Sequence, residues 1–123
     1  MEAEKTLINQ WHMLLSSYNE VASHLERELQ ELHGLSLSDF ETLDRLITRE
    51  SEKCRMQHLA GDMYLSQSAL SRTVARLEKS GLVTRTLCQD DRRGVFVELT
   101  DDGRERHAEA SATHLAVLAE HLK

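Results

Sequence analysis

The feature that most constrains the fold is a change of periodicity within residues 56–100. Two segments with helical spacing of apolar residues come first, at 56–63 and 66–80, and two alternating segments follow, at 83–88 and 95–99. Spacing of three to four residues indicates amphipathic helices, whereas alternation indicates strands with one buried face. This order predicts a helix-turn-helix followed by a β-hairpin.

The two predicted short helices have recognisable inward faces. The first would bury Met56, Leu59, Ala60 and Met63, and the second would bury Leu70, Val74 and Leu77. Ser66 is suited to cap the second helix, because its hydroxyl can accept a free N–H of the first turn, and Gly81 is suited to end it. We therefore expect a helix over residues 66–80.

Longer helices are predicted on either side of this unit. A helix over residues 5–32, ended by Gly34, would carry a seam close to a heptad repeat: Leu7, Trp11, Leu14, Tyr18, Val21 and Leu25. A capping box at 38–41 would start the next helix, with Phe40, Leu43, Leu46 and Ile47 inward. A last helix over residues 101–122, capped by Thr100, would carry the stripe Ala108, Ala112, Leu115, Leu118 and Leu122. The apolar seam of the first helix needs a partner surface, in the same chain or in another subunit.

Length and composition bound the class of protein. A chain of 123 residues is predicted to be one domain (residues 1–123), mainly α with a small β-hairpin wing. No apolar run approaches the roughly 18 residues that span a bilayer, the first residues do not resemble a signal peptide, and Cys54 and Cys88 suit a reducing compartment. We expect a cytoplasmic protein without membrane contact. No catalytic constellation or cofactor motif is found, so no enzyme is predicted.

The predicted helix 66–80 presents a polar face opposite its apolar one. The outward side chains are Gln67, Ser68, Ser71, Arg72 and Arg76, with Ser66 at the N-terminus. A recognition helix presents such groups to the major groove, where a bidentate arginine–guanine contact contributes about 1–3 kcal/mol of discrimination. The helix dipole also favours a phosphate near Ser66. The alternative is an ordinary amphipathic helix with a solvated polar face.

The predicted hairpin has a basic tip within residues 88–95. Arg92 and Arg93 are adjacent there, and Asp91 lies close enough in sequence to orient Arg93. Guanidinium groups on such a tip suit a narrow minor groove, where negative potential is concentrated. The alternative is a solvated hairpin tip. The distribution of charge favours DNA binding. Residues 53–93 hold eight basic and four acidic residues, a net charge of +4, whereas the rest of the chain has a net charge of −10, which gives −6 in total.

These motifs resemble the MarR family of bacterial transcription regulators. The resemblance rests on LSQSALSRTVARLEKSGLV at 65–83, on DRRGVFVELTDDG at 91–103, and on LSLSDFETL at 35–43. It implies a winged helix-turn-helix over about 35–100, with Ser71, Arg72 and Arg76 facing the major groove. Arg93 would enter the minor groove with Asp91 orienting it and Arg92 near the backbone.

The resemblance also implies a homodimer on a pseudo-palindromic operator, with residues 5–32 and 101–122 as dimerisation helices. Family members usually continue with another helix beyond the one that ends here. We therefore expect either a trimmed chain or a dimer that depends more on its first helix. Many members are repressors released by a small molecule between the dimer helices and the winged domain. Trp11, His12 and Tyr18 could line such an effector site; the alternative is that Trp11 and Tyr18 are interface core.

Two further kinds of regulatory switch, cysteine oxidation and metal binding, are considered and not favoured. Cys54, beside two basic residues, and Cys88, at the start of the wing, could be redox-sensitive, but two incidental thiols are the default. His107, His114 and His121 lie on one helix face about 10.5 Å apart, too far for one ion to join two of them. Zinc-sensing relatives place histidines four apart on this helix, where this chain has Ser111. A metal site would need ligands from another helix, such as Glu20 or His24, so no metal is predicted, and a polar stripe bordering the dimer interface is favoured.

The sequence thus predicts a sequence-specific regulator of transcription that binds double-stranded DNA, in the form of a homodimeric repressor with a small-molecule effector. The alternative is a winged-helix module that binds other proteins, or acts as an antirepressor, without binding an operator. The acidic net charge favours the alternative mildly, and the arginines of the helix and the wing favour DNA binding more strongly.

Overall fold

The computed structural model describes residues 1–48, 54–63, 65–87 and 95–122. The elements within them are α1 (Glu2–His33), α2 (Leu37–Thr48), β1 (Cys54–Arg55), α3 (Met56–Met63), α4 (Gln67–Lys79), β2 (Val83–Leu87), β3 (Val95–Leu99) and α5 (Asp101–His121). The predicted class, mainly α with a small hairpin, is confirmed. No helix of the described segments is long and apolar enough to cross a membrane.

Helix α1 ends as its sequence predicts. Gly34 adopts a left-handed conformation with φ of 67°, and its N–H donates to the Gln30 carbonyl at 3.1 Å. The Leu35 N–H reaches back to the Leu29 carbonyl at 3.3 Å, which completes the cap. The chain reverses here, and Leu35 is almost fully buried.

The capping box of α2 lies two residues before the predicted position. The Ser36 N–H donates to Asp39 Oδ2, and the Asp39 N–H donates to Ser36 Oγ, both at 3.0 Å. The prediction of a box at Ser38 and Glu41 is therefore wrong. Both pairs fit the sequence pattern, but the reversal at Gly34 makes Ser36 the residue that enters the helix.

The core lies among the second half of α1, the helices α2 to α5 and the start of the sheet. Its largest fully buried side chains include Phe40, Leu29, Leu43, Leu59, Leu70 and Val74. Residues 2–20 of α1 contribute no buried side chain, and the seam residues Leu7 and Trp11 are 65% and 57% exposed. Half of α1 therefore extends beyond the hydrophobic core of its own chain.

Three strands form an antiparallel sheet in the order β1-β3-β2. The expectation that both hairpin strands bury one face is wrong for β2, where only Val83 is buried and Leu87 is 70% exposed. The described helices cover only the start of this strand, so alternation in sequence has no core to face further along. In β3, Val97 is buried and its neighbours are half-buried.

Helix α5 packs on its own chain through a face other than the predicted stripe. Gly103, Ala110 and Val117, seven residues apart, are buried, whereas Leu115 and Leu122 are 67% and 59% exposed. The helix has apolar residues on two sides, and periodicity alone does not say which side meets α1 and α2.

Candidate nucleic-acid interface

Helix α4 has the inward and outward faces that its sequence predicts. Leu70, Val74 and Leu77 are at most 2% exposed. Ser66 caps the helix, with its hydroxyl accepting the Ala69 N–H at 3.1 Å. The first-turn N–H groups and the positive end of the helix dipole thus lie beside an exposed serine, an arrangement that suits an anion.

The outward face combines free and restrained side chains. Gln67, Ser68 and Arg72 are exposed, and Ser71 is half-buried. Ser68 Oγ lies 3.3 Å from Ser66 Oγ, which groups two hydroxyls at the helix start. Arg72 makes no hydrogen bond or ion pair with any described residue.

Arg76 is held differently from Arg72. Its Nη2 donates to Asp39 Oδ1 at 3.1 Å and to Thr73 Oγ1 at 3.3 Å. The arginine side chain is 54% exposed and the Asp39 side chain 11%. Asp39 is also the carboxylate that caps α2, so Arg76 joins α4 to α2 while part of its guanidinium stays open to solvent. The predicted DNA-contact residue therefore also has a structural role, which its sequence position did not reveal.

A second ion pair fixes β2 against α4. Arg85 Nε and Nη2 donate to Glu78 Oε1 at 3.1 and 2.8 Å, and the Arg85 N–H donates to Oε2 at 3.3 Å. The side-chain hydrogen bond from Arg85 is the main reason that the pKa of Glu78 lies below its ordinary value of 4.5; it outweighs desolvation, which acts in the opposite direction. The pair sets the direction in which the hairpin leaves the helix. Sequence reasoning missed it, although opposite charges on either side of Gly81 were a usable signal.

The turn after α4 is joined directly to the start of α5. Thr100 Oγ1 donates to the Gly81 carbonyl at 2.7 Å and accepts the Gly103 N–H at 3.0 Å, while the Thr100 N–H donates to the Leu82 carbonyl at 3.1 Å. A Cβ on Gly103 would overlap the Leu82 carbonyl oxygen and approach Leu99 Cδ2 to 3.1 Å. The threonine and glycine of the LTDDG segment thus hold the base of the hairpin against the recognition helix.

The predicted wing tip falls outside the described residues, and with it Asp91, Arg92, Arg93 and Cys88. The strands that carry the tip are described: Thr84 pairs with Glu98 and Thr86 with Phe96. The two strands follow the C-terminal end of α4, and β2 begins at Val83 beside that end.

A cavity of about 790 Å³ lies between the two terminal helices and the helix-turn-helix. Among the residues predicted for an effector site, Tyr18 lines it, whereas Trp11 and His12 do not. Its wall comes from α1, α2, α3 and α5 and is mostly apolar, and its ionisable groups include Glu41, Arg45, Asp62 and His114. The sequence predicted lining residues from α1 alone, because the convergence of the other helices on Tyr18 is a tertiary property.

The three histidines of α5 face α1 and α2 of their own chain. His107 Nε2 lies 2.9 Å from Asp44 Oδ1, and the His114 ring stacks on Phe40 with centroids 4.4 Å apart. His121 stacks on His24 of α1, with centroids 3.7 Å apart and planes 6° apart. The prediction of a polar stripe at the border of a dimer interface therefore does not describe these contacts, which are intramolecular.

Comparisons with known proteins point to one family. The model of the MarR family matches residues 35–95. AbsC from Streptomyces coelicolor, a MarR family transcriptional regulator, is 34% identical with a TM-score of 0.85; the match covers 95% of this chain and 78% of AbsC. Sco3205 from the same organism, solved in complex with DNA, is 33% identical with a TM-score of 0.86, over 98% of this chain and 74% of its own.

A curated relative is more distant. The uncharacterized HTH-type transcriptional regulator YkoM of Bacillus subtilis (strain 168) is 28% identical over 104 residues, which are 85% of this chain. The chain spans 65% of the length of YkoM, just under two thirds.

Proposed function

Because this chain belongs to the MarR family, we propose that it is a sequence-specific regulator of transcription that binds double-stranded operator DNA as a homodimer. The observation that carries the proposal is the outward face of α4. It presents Gln67, Ser68 and Arg72, which has no partner among the described residues, on a helix whose opposite face is buried in the core. The similarity to Sco3205, solved with DNA, supports this use of the helix.

In the proposed complex α4 lies in the major groove. Ser66 and Ser68, at its positive end, bind a phosphate, and Arg72 reaches a base edge, while Ser71 and the open part of Arg76 contact the flanking backbone or bases. The wing, residues 88–95, reaches the minor groove with Arg93, which Asp91 orients, and Arg92 contacts the backbone. The Glu78–Arg85 pair supports this arrangement, because it fixes the direction of β2 relative to α4.

A second copy of the chain is the proposed partner of the exposed half of α1. Its apolar side chains there are 39–70% exposed: Leu7, Ile8, Trp11, Met13, Leu14, Leu15 and Tyr18. So many neighbouring apolar side chains in water mark an interface. Leu115 and Leu122 of α5 extend the surface. A two-fold dimer would place two α4 helices in successive major grooves, about 34–36 Å apart.

Repression released by a small molecule is the proposed control. The cavity supports a mainly apolar effector, held at one side by Arg45 and His114. An occupant would contact both terminal helices and the helix-turn-helix, and could therefore change the spacing of the two recognition helices. Operator binding implies that the protein acts in the cytoplasm, which contains the DNA.

The direct test is selection of binding sites from a pool of duplex DNA, followed by fluorescence anisotropy at about 50 and 200 mM salt. We expect a palindromic site, nanomolar binding and a steep decrease of affinity with salt. Arg72→Ala should weaken binding about tenfold or more and relax base preference at one position of each half-site. Arg27→Ala, which removes the same charge from the exposed surface of α1, is the matched control and should leave DNA affinity unchanged.

The net charge of −6 favours the alternative, a winged-helix module that binds a protein instead of an operator. Weak, unselective DNA binding, unaffected by Arg72→Ala and by Arg93→Ala, would support that alternative and contradict the operator proposal. Equal weakening by Arg72→Ala on every sequence would reassign Arg72 to a phosphate contact.

A further inference from the structure

A cluster of metal-binding groups lies where the middle of α1 crosses the end of α5. Glu20 and His24 are four residues apart, so they lie on one face of α1, and His121 comes from the last turn of α5. One potential ligand atom of each side chain lies within 4.8 Å of those of the other two. Glu20 is exposed and both histidines are half-buried, so an ion from solvent can reach the cluster.

We propose that Glu20, His24 and His121 form a binding site for a divalent transition-metal ion of the zinc type. Two imidazole nitrogens and one carboxylate oxygen are a ligand set that Zn²⁺ accepts, with a fourth position left for water. Two ligands at positions i and i+4 of one helix are a spacing that zinc sites use. The site is distinct from the four-apart pair on α5 that zinc-sensing relatives would have, since Ser111 stands there and only one ligand comes from α5.

The geometry needs side-chain movement but no change of backbone. Bonds of about 2.0–2.1 Å to a tetrahedral ion place ligand atoms roughly 3.3 Å apart, so the three groups must close by up to about 1.5 Å. The two imidazoles now stack in parallel, and at least one ring must rotate to aim its lone pair at the ion. All three groups border solvent, so their side chains can rotate toward an ion without displacing the core.

Arg27 competes with the ion for one ligand. Its Nη2 lies 3.1 Å from His24 Nδ1, and a guanidinium can only donate, so Nδ1 is the acceptor and Nε2 carries the proton. A metal bound through either nitrogen must displace this hydrogen bond or shift the tautomer. The structure thus holds His24 in a metal-free arrangement that binding would have to break.

Metal binding would link α1 to α5 next to the exposed apolar half of α1. The ion would bridge residue 24 to residue 121, and the same two helices carry the proposed dimer surface. Metal would therefore stabilise the orientation of the two helices relative to each other, in addition to the His33–Thr113 hydrogen bond of 2.7 Å at the other end of their contact.

The experiment is titration of the full chain with Zn²⁺ against a chromophoric chelator, with Co²⁺ as the spectroscopic probe. We expect one ion per chain, visible Co²⁺ absorption typical of a four-coordinate site, and a rise in Tm of about 10 °C at a hundredfold excess over Kd. His24→Ala, His121→Ala and Glu20→Gln should each weaken binding at least about tenfold. His58→Ala, which removes an exposed histidine of α3, should not.

Arg27→Gln adds a test in the opposite direction. Removing the competing donor and its positive charge should tighten Zn²⁺ binding several-fold, a gain that loss of fold cannot mimic. Circular dichroism of each variant verifies folding. Binding that is absent, that survives His24→Ala and His121→Ala, or that falls equally in His58→Ala would overturn the proposed site. DNA binding is measured separately, so failure of the metal site leaves the operator proposal standing.

Discussion

At the scale of single residues, position 103 requires glycine because of a neighbouring backbone group and not because of its own φ and ψ angles. Its φ lies in the ordinary helical range, in contrast to Gly34 and Gly81, whose φ values are positive. What excludes a side chain is the Leu82 carbonyl, which lies where a Cβ would be. Because Leu82 follows directly on the recognition helix, a displacement there would also move α4 relative to α5.

Gly103→Ala should therefore destabilise the protein by about 3 kcal/mol or more, since the obstacle is backbone and not a flexible side chain. Gly61→Ala is the matched control: no atom lies within 4 Å of a Cβ there, and α3 would gain up to about 1 kcal/mol from alanine's helix propensity. Urea denaturation of the two variants measures the difference. Equal stability of the two would show that the Leu82 carbonyl can move aside at little cost.

Ser36 and Ser38 offer a test of which serine caps α2. Ser36→Ala removes the acceptor for the Asp39 N–H and should cost about 1 kcal/mol. The hydroxyl of Ser38 makes no hydrogen bond with the described residues, so Ser38→Ala should change the free energy of unfolding by only a few tenths of a kcal/mol. Thermal melts at one protein concentration distinguish the two, and the reverse order would restore the box at Ser38 and Glu41.

At the scale of secondary-structure elements, two ion pairs hold α4 to its neighbours. Arg76 joins it to α2 through Asp39, and Glu78 joins it to β2 through Arg85. Both pairs are partly exposed, so each contributes modestly to stability, and salt screens them. Their larger effect is on geometry, because in the proposed complex α4 and the hairpin would meet the same DNA duplex at a fixed angle.

The Glu78–Arg85 pair predicts a pH dependence. The folded state lowers the pKa of Glu78 below 4.5, so the contribution of the pair is present above that pH and is lost as the pH falls through the lowered value. The difference in Tm between the wild type and Glu78→Gln should thus shrink when the pH is lowered from about 6 to about 3. Glu109→Gln, on the exposed side of α5 and without an arginine partner among the described residues, should show no such convergence. A gap that stays constant across this range would contradict the role assigned to the pair.

At the scale of the whole molecule, a single chain leaves one apolar surface uncovered. The second half of α1 belongs to the core, with Leu29 fully buried, while the first half exposes its apolar seam. A second copy that covers this seam would both complete the hydrophobic surface and align two recognition helices. Stability, dimerisation and DNA affinity are then coupled through one helix.

Trp11→Glu should convert the proposed dimer into a folded monomer, because it places a charge in the seam without touching the core. Sedimentation velocity should show the loss of the dimer, and operator affinity should fall by about a hundredfold as avidity is lost. Leu87→Glu, a change of the same kind at a residue 70% exposed on β2, should leave the oligomeric state intact. A Trp11→Glu protein that remains dimeric would move the interface elsewhere.

Local periodicity was sufficient to predict the helices, the two hairpin strands, their order and the inward face of α4, because these depend on neighbours two to four residues away. The short strand β1 was not predicted. It also predicted Gly34, Ser66 and Thr100 as caps, which the structure confirms. The outward position of Gln67, Ser68 and Arg72 followed from the same pattern. Their role in DNA binding remains a proposal.

Tertiary structure decided everything that depends on how distant segments meet. The serine that caps α2 was chosen by the chain reversal at Gly34, and the partner of Arg76 is a carboxylate 37 positions away. The cavity beside Tyr18 needs four helices, and the approach of His121 to Glu20 and His24 needs the antiparallel packing of α1 on α5. Sequence patterns report which face of an element is apolar. Which residues face each other across two elements depends on the relative position of their axes, and that is set only when the core packs.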